Sequence, residues 1–257
     1  MDDRQKGCAL GCGVLSAIFM ILMIGSTAWM RQRLLKPAPP APEIFPHVAL
    51  RPRYILKDGR SIEAGYAVAV RLHPGGDPVL LTPLDVFGPE GKVLTNYTAP
   101  ADLPSLVDEV QLMAVGGTDV IAHAHTPLRT EGLTPAANDP FVDTNLAAFK
   151  LDPGGGADVL DLAPENPPHR SWVWMVGDLP THQPQVQTLF PARVNGEQDR
   201  QVWIYFQGKV SGKEVDGAPV VNAQQQVVGM LIRGYPGRSE MLAAGAIRRI
   251  LARSNIQ

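Results

Sequence analysis

Apolar residues fall along this chain in two regimes. From Gly7 to Met30 the sequence GCALGCGVLSAIFMILMIGSTAWM carries no charge and is apolar on every helical face. At about 1.5 Å of rise per residue, that run is long enough to cross a hydrocarbon core about 30 Å thick. Basic residues flank it on both sides, which suits a membrane span better than a buried core helix. A cleavable signal peptide would have a shorter apolar stretch, and Ser26-Thr27-Ala28 is a weak cleavage site. The pattern predicts a polar start at residues 1–6 and an uncleaved single-pass transmembrane helix at 7–30. Beyond residue 50 the pattern changes. Short runs of β-branched and aromatic residues recur between turn signals: AGYAVAVRL (64–72), PVLLTPLDVF (78–87), NLAAFKL (145–151), SWVWMVG (171–177), QVWIYFQG (201–208) and QQVVGMLI (225–232). Many short strands punctuated by KDG, HPGGDP, DPGGG and GYPG predict an all-β barrel or sandwich. One helix is expected at the end, with Ser239 as N-cap, Glu240 in the first turn and Leu242, Ala246, Ile247, Ile250 and Leu251 on its apolar face. Arg248, Arg249 and Arg253 near its end would complement the helix dipole.

Between the two regimes, residues 31–49 form a linker. Its stretch KPAPPAPEIFP places five prolines in the eleven residues 36–46, which favours an extended polyproline II spacer. Composition narrows the picture further. The 257 residues are 45% hydrophobic and 19% charged, which excludes wholesale disorder, and the net charge of −2 argues against a nucleic-acid partner. Residues 1–36 sum to +3, so the remainder sums to −5. Both cysteines, Cys8 and Cys12, lie in the first segment, so no disulfide staples residues 50–257. Arg4 and Lys6 before the span nearly balance Arg31, Arg33 and Lys36 after it, which leaves orientation open. The expected location is the membrane, with the folded part extracytoplasmic.

Three segments, in order, resemble the landmarks of trypsin-like serine proteases of the two-barrel chymotrypsin type. AGYAVAVRLHPGGDPVLLTPLDVF is similar to the strand, hairpin and strand that lead into that family's T-A-A-H-V turn. DTNLAAFKLD (143–152) resembles the strand that opens with the triad acid. KEVDGAPVVNAQQQVVGML (213–231) resembles the nucleophile loop and following hairpin, with Gly217, Ala218, Pro219, Val220, Val221, Asn222 and Gly229 in place. The resemblance spans about residues 50–257. It implies two six-stranded β-barrels with a C-terminal helix.

The same correspondence puts the general base at Asp85, the triad acid at Asn145 and the nucleophile at Asp216, so all three positions are substituted. Acyl transfer to serine needs a hydroxyl, a neutral imidazole to take its proton and a carboxylate to orient the ring. Asp216 has no proton to give at neutral pH, and Asp85 is a weak base with a reference pKa near 3.9. Glu214 occupies the glycine position of the oxyanion hole, where a Cβ disfavours the turn and a carboxylate opposes a developing oxyanion. Neither Ser211 nor the histidines His73, His123, His125 and His169 stands in a matching context. Sliding the second block by two would bring in Asp143 and restore one member only.

Other features carry less. Asp85, Asn145 and Asp216 could present oxygens to Ca²⁺ or Mg²⁺, but hydrated acids in a silent site are the simpler reading. His123 and His125 share one strand face without a third nitrogen or a thiol nearby, so zinc is not expected, nor is any other cofactor. Asn96-Tyr97-Thr98 is a glycosylation sequon, and Gly154–Gly156 reads as a turn. The alternating Trp172, Val173, Trp174 and Met175 suggest a strand buried on both faces. The leading reading is a membrane-anchored, catalytically inactive protease homologue that binds another protein or peptide as a scaffold or regulator. An active serine hydrolase with a rearranged nucleophile and a structural envelope ectodomain are the alternatives. Anchoring should be hydrophobic: the chain should stay in the membrane pellet through high salt and alkaline carbonate, and carbonate release of most of it would refute the anchor.

Overall fold

Strand β1 (Leu50–Leu56) alternates strictly, with Leu50, Pro52, Tyr54 and Leu56 buried and Arg51, Arg53 and Ile55 partly exposed. Strands β3 (Val68–Arg71), β4 (Pro78–Thr82) and β7 (Ala147–Leu151) are instead almost continuously apolar and buried. The difference has a packing cause. A strand with one wet face alternates, whereas one covered on both faces does not. Along β3 and the residue before it, Ala67 and Ala69 face a core with Tyr54, Leu80, Phe87 and Phe149, while Val68 and Val70 turn the other way, toward Val173, Met175 and Val220. The continuous runs therefore mark where one sheet is covered by the other.

These elements belong to a computed structural model that describes residues 37–89, 94, 96–129, 131, 145–178, 186–198, 201–207, 210, 215–235 and 237–254. Residues from Pro40 onward form one compact unit. The proposed anchor at 7–30, both cysteines, Asp143, Ser211 and Glu214 lie outside the described residues. No helix among those described is long and apolar enough to cross a membrane.

The remaining strands are β2 (Ser61–Glu63), β5 (Val107–Ala114), β6 (Val120–Pro127), β8 (Val159–Asp161), β9 (Trp172–Gly177), β10 (Thr188–Gln198), β11 (Gln201–Phe206), β12 (Pro219–Val221), β13 (Val227–Tyr235) and β14 (Arg238–Ala243). The first sheet runs β2-β1-β5-β6-β7-β4-β3-β8. It has eight strands rather than six. Reciprocal bonds between Leu50 and Ala67 join β1 to the chain just before β3, so six strands curl into a barrel-like sheet with β2 and β8 appended. The second sheet is a closed six-stranded barrel, β10-β11-β14-β13-β12-β9.

The C-terminal helix is real but starts later than the sequence pattern suggests. It spans Ala244–Arg253, and Ser239, Glu240 and Leu242 belong to β14. Ser239 is no cap: it is fully buried and pairs with Ile204 and Gly234. Sheet pairing on both sides of β14 outweighs the local capping preference. The helix start is served from afar, with the Gly245 N–H donating to Asn166 Oδ1 at 2.9 Å. Arg248 does not merely complement the dipole. Its guanidinium donates to the carbonyls of Leu72 (2.5 Å), Leu162 (2.6 Å) and Ala163 (3.1 Å), tying the helix to β3 and the chain after β8.

A buried charged group also joins the two sheets. Asp178, just after β9, is 2% exposed and pairs with Arg51 of β1 at 2.6 Å. The Tyr66 hydroxyl donates to the same carboxylate and accepts from Arg51 Nη2 at 2.8 Å and the Asp178 N–H at 3.1 Å. The Arg51 guanidinium also lies over the Tyr66 ring, 3.8 Å from its centroid. Removing one partner leaves a buried charge uncompensated, at about 3–5 kcal/mol. Arg51→Ala, which strands the buried Asp178 carboxylate, should lower denaturant stability by about that much, and Tyr66→Phe by about 1–3 kcal/mol. Unchanged midpoints for both would show that the network contributes nothing.

Candidate functional site

The site begins where β4 ends. Pro83 cannot continue a ladder, and the chain turns into a single 3-10 turn, Leu84–Phe87, with Leu84, Val86 and Phe87 buried. That periodicity leaves Asp85 on the more open side. Opposite it, Asn145 immediately precedes the Leu146–β7 segment and is 8% exposed.

The two side chains form a reciprocal pair. Asn145 Oδ1 accepts from the Asp85 N–H at 2.9 Å, while Asn145 Nδ2 donates to Asp85 Oδ2 at 2.7 Å. An N–H needs an oxygen and a carboxylate needs a donor, so both amide ends are assigned by their partners. The carboxamide oxygen is thereby occupied. Among the described residues no group of three or more His, Cys, Asp or Glu is placed to hold a metal ion.

Asp216 approaches from the second sheet. Its carbonyl accepts from the Tyr66 N–H at 2.8 Å. Gly217 follows at φ +87°, and a Cβ there would stand 2.1 Å from the Tyr66 carbonyl oxygen and 2.9 Å from Pro83 Cδ. Only glycine fits this approach. Gly65, at φ +64°, is held in the same way: a Cβ would meet the Asp216 carbonyl oxygen at 2.9 Å and Val86 Cγ1 at 3.2 Å. The structure thus brings the Asp85 turn, Asn145 and the 216–217 backbone together around Gly65 and Tyr66.

Beneath them lies a buried polar chain. Thr82 Oγ1 donates to the Tyr66 carbonyl at 3.1 Å, so the Tyr54 hydroxyl must be the donor in its 2.7 Å bond to Thr82. Burial pushes the Tyr54 hydroxyl well above the usual phenol range; the Thr82 bond lowers it and the nearby Asp85 charge raises it. Arg129, 3% exposed, donates to the Leu146 carbonyl beside Asn145, and burial lowers its guanidinium to about 10.

Arg233 of β13 brings a positive charge from the second barrel. Burial works against its charge, but its bond to Tyr235 and the charges of Glu240, Tyr235 and Asp85 raise it on balance. Sequence reasoning missed Arg233, Tyr66, Arg51 and Asp178, because no motif marks residues whose partners lie on another sheet. Two of the candidate histidines stand elsewhere: His123 Nδ1 is 2.5 Å from Glu109 Oε1, and His125 Nε2 is 3.1 Å from Asp152.

No protein-family model matches this sequence, and no curated protein matches it. Solved structures do match. The serine endoprotease from Yersinia pestis aligns over 81% of this chain and 63% of its own, at 13% identity and a TM-score of 0.52. The active form of the Rv3671c protease from M. tuberculosis aligns over 85% of this chain and 91% of its own, at 16% identity and a TM-score of 0.49. The Yersinia likeness shows that the described domain has the fold of a serine endoprotease.

The Asp85–Asn145 pair makes a sharp electrostatic test possible. In Asn145→Asp two carboxylates would share one short contact, so one of them must hold a proton into the neutral range. A carboxyl whose folded pKa is raised stabilises fully below its unfolded pKa and loses that contribution as pH rises through the folded one. Asn145→Asp should therefore nearly match the parent at pH about 4 and fall behind by about 2 kcal/mol or more at pH about 7. Chemical denaturation across that range checks it; a variant that gains relative stability with rising pH would contradict the pair.

Proposed function

We propose that this chain is a membrane-anchored, catalytically inactive homologue of the trypsin-like serine proteases, acting through binding to another protein or peptide. The observation that carries the reading is the Asp85–Asn145 clamp. At the positions that the family resemblance assigns to base and acid, the two side chains are bonded to each other. Asp85 accepts from a carboxamide, and that carboxamide is anchored on the Asp85 backbone. Among the described residues no imidazole bonds to this pair, and the residue in the nucleophile position, Asp216, has a carboxylate where a hydroxyl is required. Fold supplies the scaffold, and chemistry must come from the site. The uncharged run at 7–30 and the proline-rich spacer support the anchored, extracytoplasmic part of the reading.

Triad members act as a unit, so restoring one recovers little. The purified chain should neither hydrolyse peptide esters above background nor take up a fluorophosphonate, and Asp216→Ser alone should stay silent. Stoichiometric fluorophosphonate labelling that Ser211→Ala abolishes would show instead an active enzyme with a displaced nucleophile.

A further inference from the structure

The outer face of the closed barrel carries a row of side chains that alternates chemically from strand to strand. Register pairs Trp172 with Arg193, Arg193 with Tyr205, Tyr205 with Arg238 and Arg238 with Tyr235. Aromatic, arginine, aromatic, arginine, aromatic: the row crosses β9, β10, β11, β14 and β13. Its neighbours along each strand point into the barrel, as buried Val173, Ala192, Ile204 and Ser239 show. The row faces outward, and Tyr205 at its centre is 40% exposed.

The arginines stand against the rings. Arg193 lies 5.1 Å from the Trp172 ring centroid, and Arg238 lies 4.7 Å from that of Trp203 and 5.3 Å from that of Tyr235. In the adjacent row Trp203, Glu240 and Arg233 face one another. Among the described residues, these two rows hold three arginines against a single carboxylate, that of Glu240, which is 4% exposed. Burial raises the Glu240 pKa, and Arg233, Tyr235 and Arg238 lower it less than burial raises it. The face is left locally cationic on a domain that is net acidic.

Spacing selects a partner. Neighbouring strands lie about 4.8 Å apart, so the backbone positions of Arg193 and Arg238, two strands apart, stand roughly 9.6 Å from one another. A polyproline II chain has three residues per turn and rises about 3.1 Å per residue, so its side chains at every third position share one side at roughly 9.3 Å. Carboxylates at that interval meet successive arginines, where planar guanidinium forks bind them well. The ring of Tyr205 between them, with Trp172 and Tyr235 on either side, offers the flat apolar surface on which prolines dock. A nucleic acid strand would also stack on the rings, but its phosphates succeed one another more closely than the arginines do.

We infer that this face binds a proline-containing acidic segment of a partner protein, in polyproline II conformation, with an acidic residue at every third position. The inference rests on the binding-module reading of the chain. The probe is a fluorescein-labelled peptide of Glu-Pro-Ala repeats, titrated into the full-length chain in detergent and followed by anisotropy. It should bind saturably and weaken with salt, whereas Gln-Pro-Ala repeats should bind about tenfold more weakly. Arg193→Ala with Arg238→Ala should lose binding to a similar degree. Because Arg193 is partly buried, Arg238→Glu provides an independent variant at an exposed position. It should lose the Glu-Pro-Ala peptide and acquire affinity for Lys-Pro-Ala repeats while keeping the parent melting temperature. Equal binding of the Gln peptide, indifference of both variants, or tighter binding of oligothymidylate than of the acidic peptide would overturn the inference. Cleavage of the probe in the same samples would refute the inactive-homologue reading and leave the binding face standing.

Discussion

Tyr66 is the residue through which the two sheets and the candidate site are held in one arrangement. Each polar group it owns has a partner from a different part of the chain. Its N–H reaches the Asp216 carbonyl, its carbonyl accepts from Thr82, and its hydroxyl sits between Arg51 and Asp178. Its ring covers Gly177, where an added Cβ would stand 3.3 Å away. A fully buried tyrosine is tolerable only when its polar atoms are satisfied. Here the satisfaction itself fixes which loops meet: the 216–217 turn, the end of β4 and the end of β9 are all anchored to a single residue.

The glycines at 65 and 217 follow from this contact. Gly217 passes so close to the Tyr66 carbonyl that a side chain is excluded, and Gly65 lies against both the Asp216 carbonyl and Val86. The motif Gly217-Ala218-Pro219 therefore has a structural reason to exist apart from chemistry. Its turn is what seats the second sheet against the first. The Asp85–Asn145 pair has the same character. It clamps the 3-10 turn to the start of β7 with two short bonds, and in doing so uses donor and acceptor groups that a reaction would need free.

Charge is distributed by the same logic of burial. Asp178 sits in the interface between the sheets with Arg51 and Tyr66 around it. Glu240 sits under the side chains of Arg233 and Tyr235 on the outer barrel face, with Arg233 Nη1 3.9 Å away and the Tyr235 hydroxyl at 3.4 Å. At those longer distances Coulomb attraction recovers less than desolvation removes, so its pKa rises. Arg233 and Arg238 beside it are exposed, and Arg238 stands against the rings of Trp203 and Tyr235.

Much of the architecture is legible in one dimension. The six apolar runs each contain a strand, because a period-two or continuous apolar pattern between turn signals has few other solutions. The blocks around Asp85, Asn145 and Asp216 were readable too, since turn chemistry ties Pro83 and Gly217 to fixed local geometry. The boundary of the last helix was not. Ser239-Glu240 has the local signature of a helix start, but two neighbouring strands claim their backbone groups, and long-range pairing outweighs a cap. The alternating Trp172 segment is buried on both faces from Val173 to Gly177, and Trp172 at its start is partly buried, packing against the core with Arg193 over its ring. The Tyr66 knot and the arginine–aromatic row belong to register and to contacts between residues far apart in sequence, such as Arg51 and Asp178, which lie 127 positions apart. Local sequence sets which backbone conformations a segment can adopt; only closing the barrels decides which distant side chains become neighbours, because that choice is made by burial of the whole sheet and not by any residue's own preference.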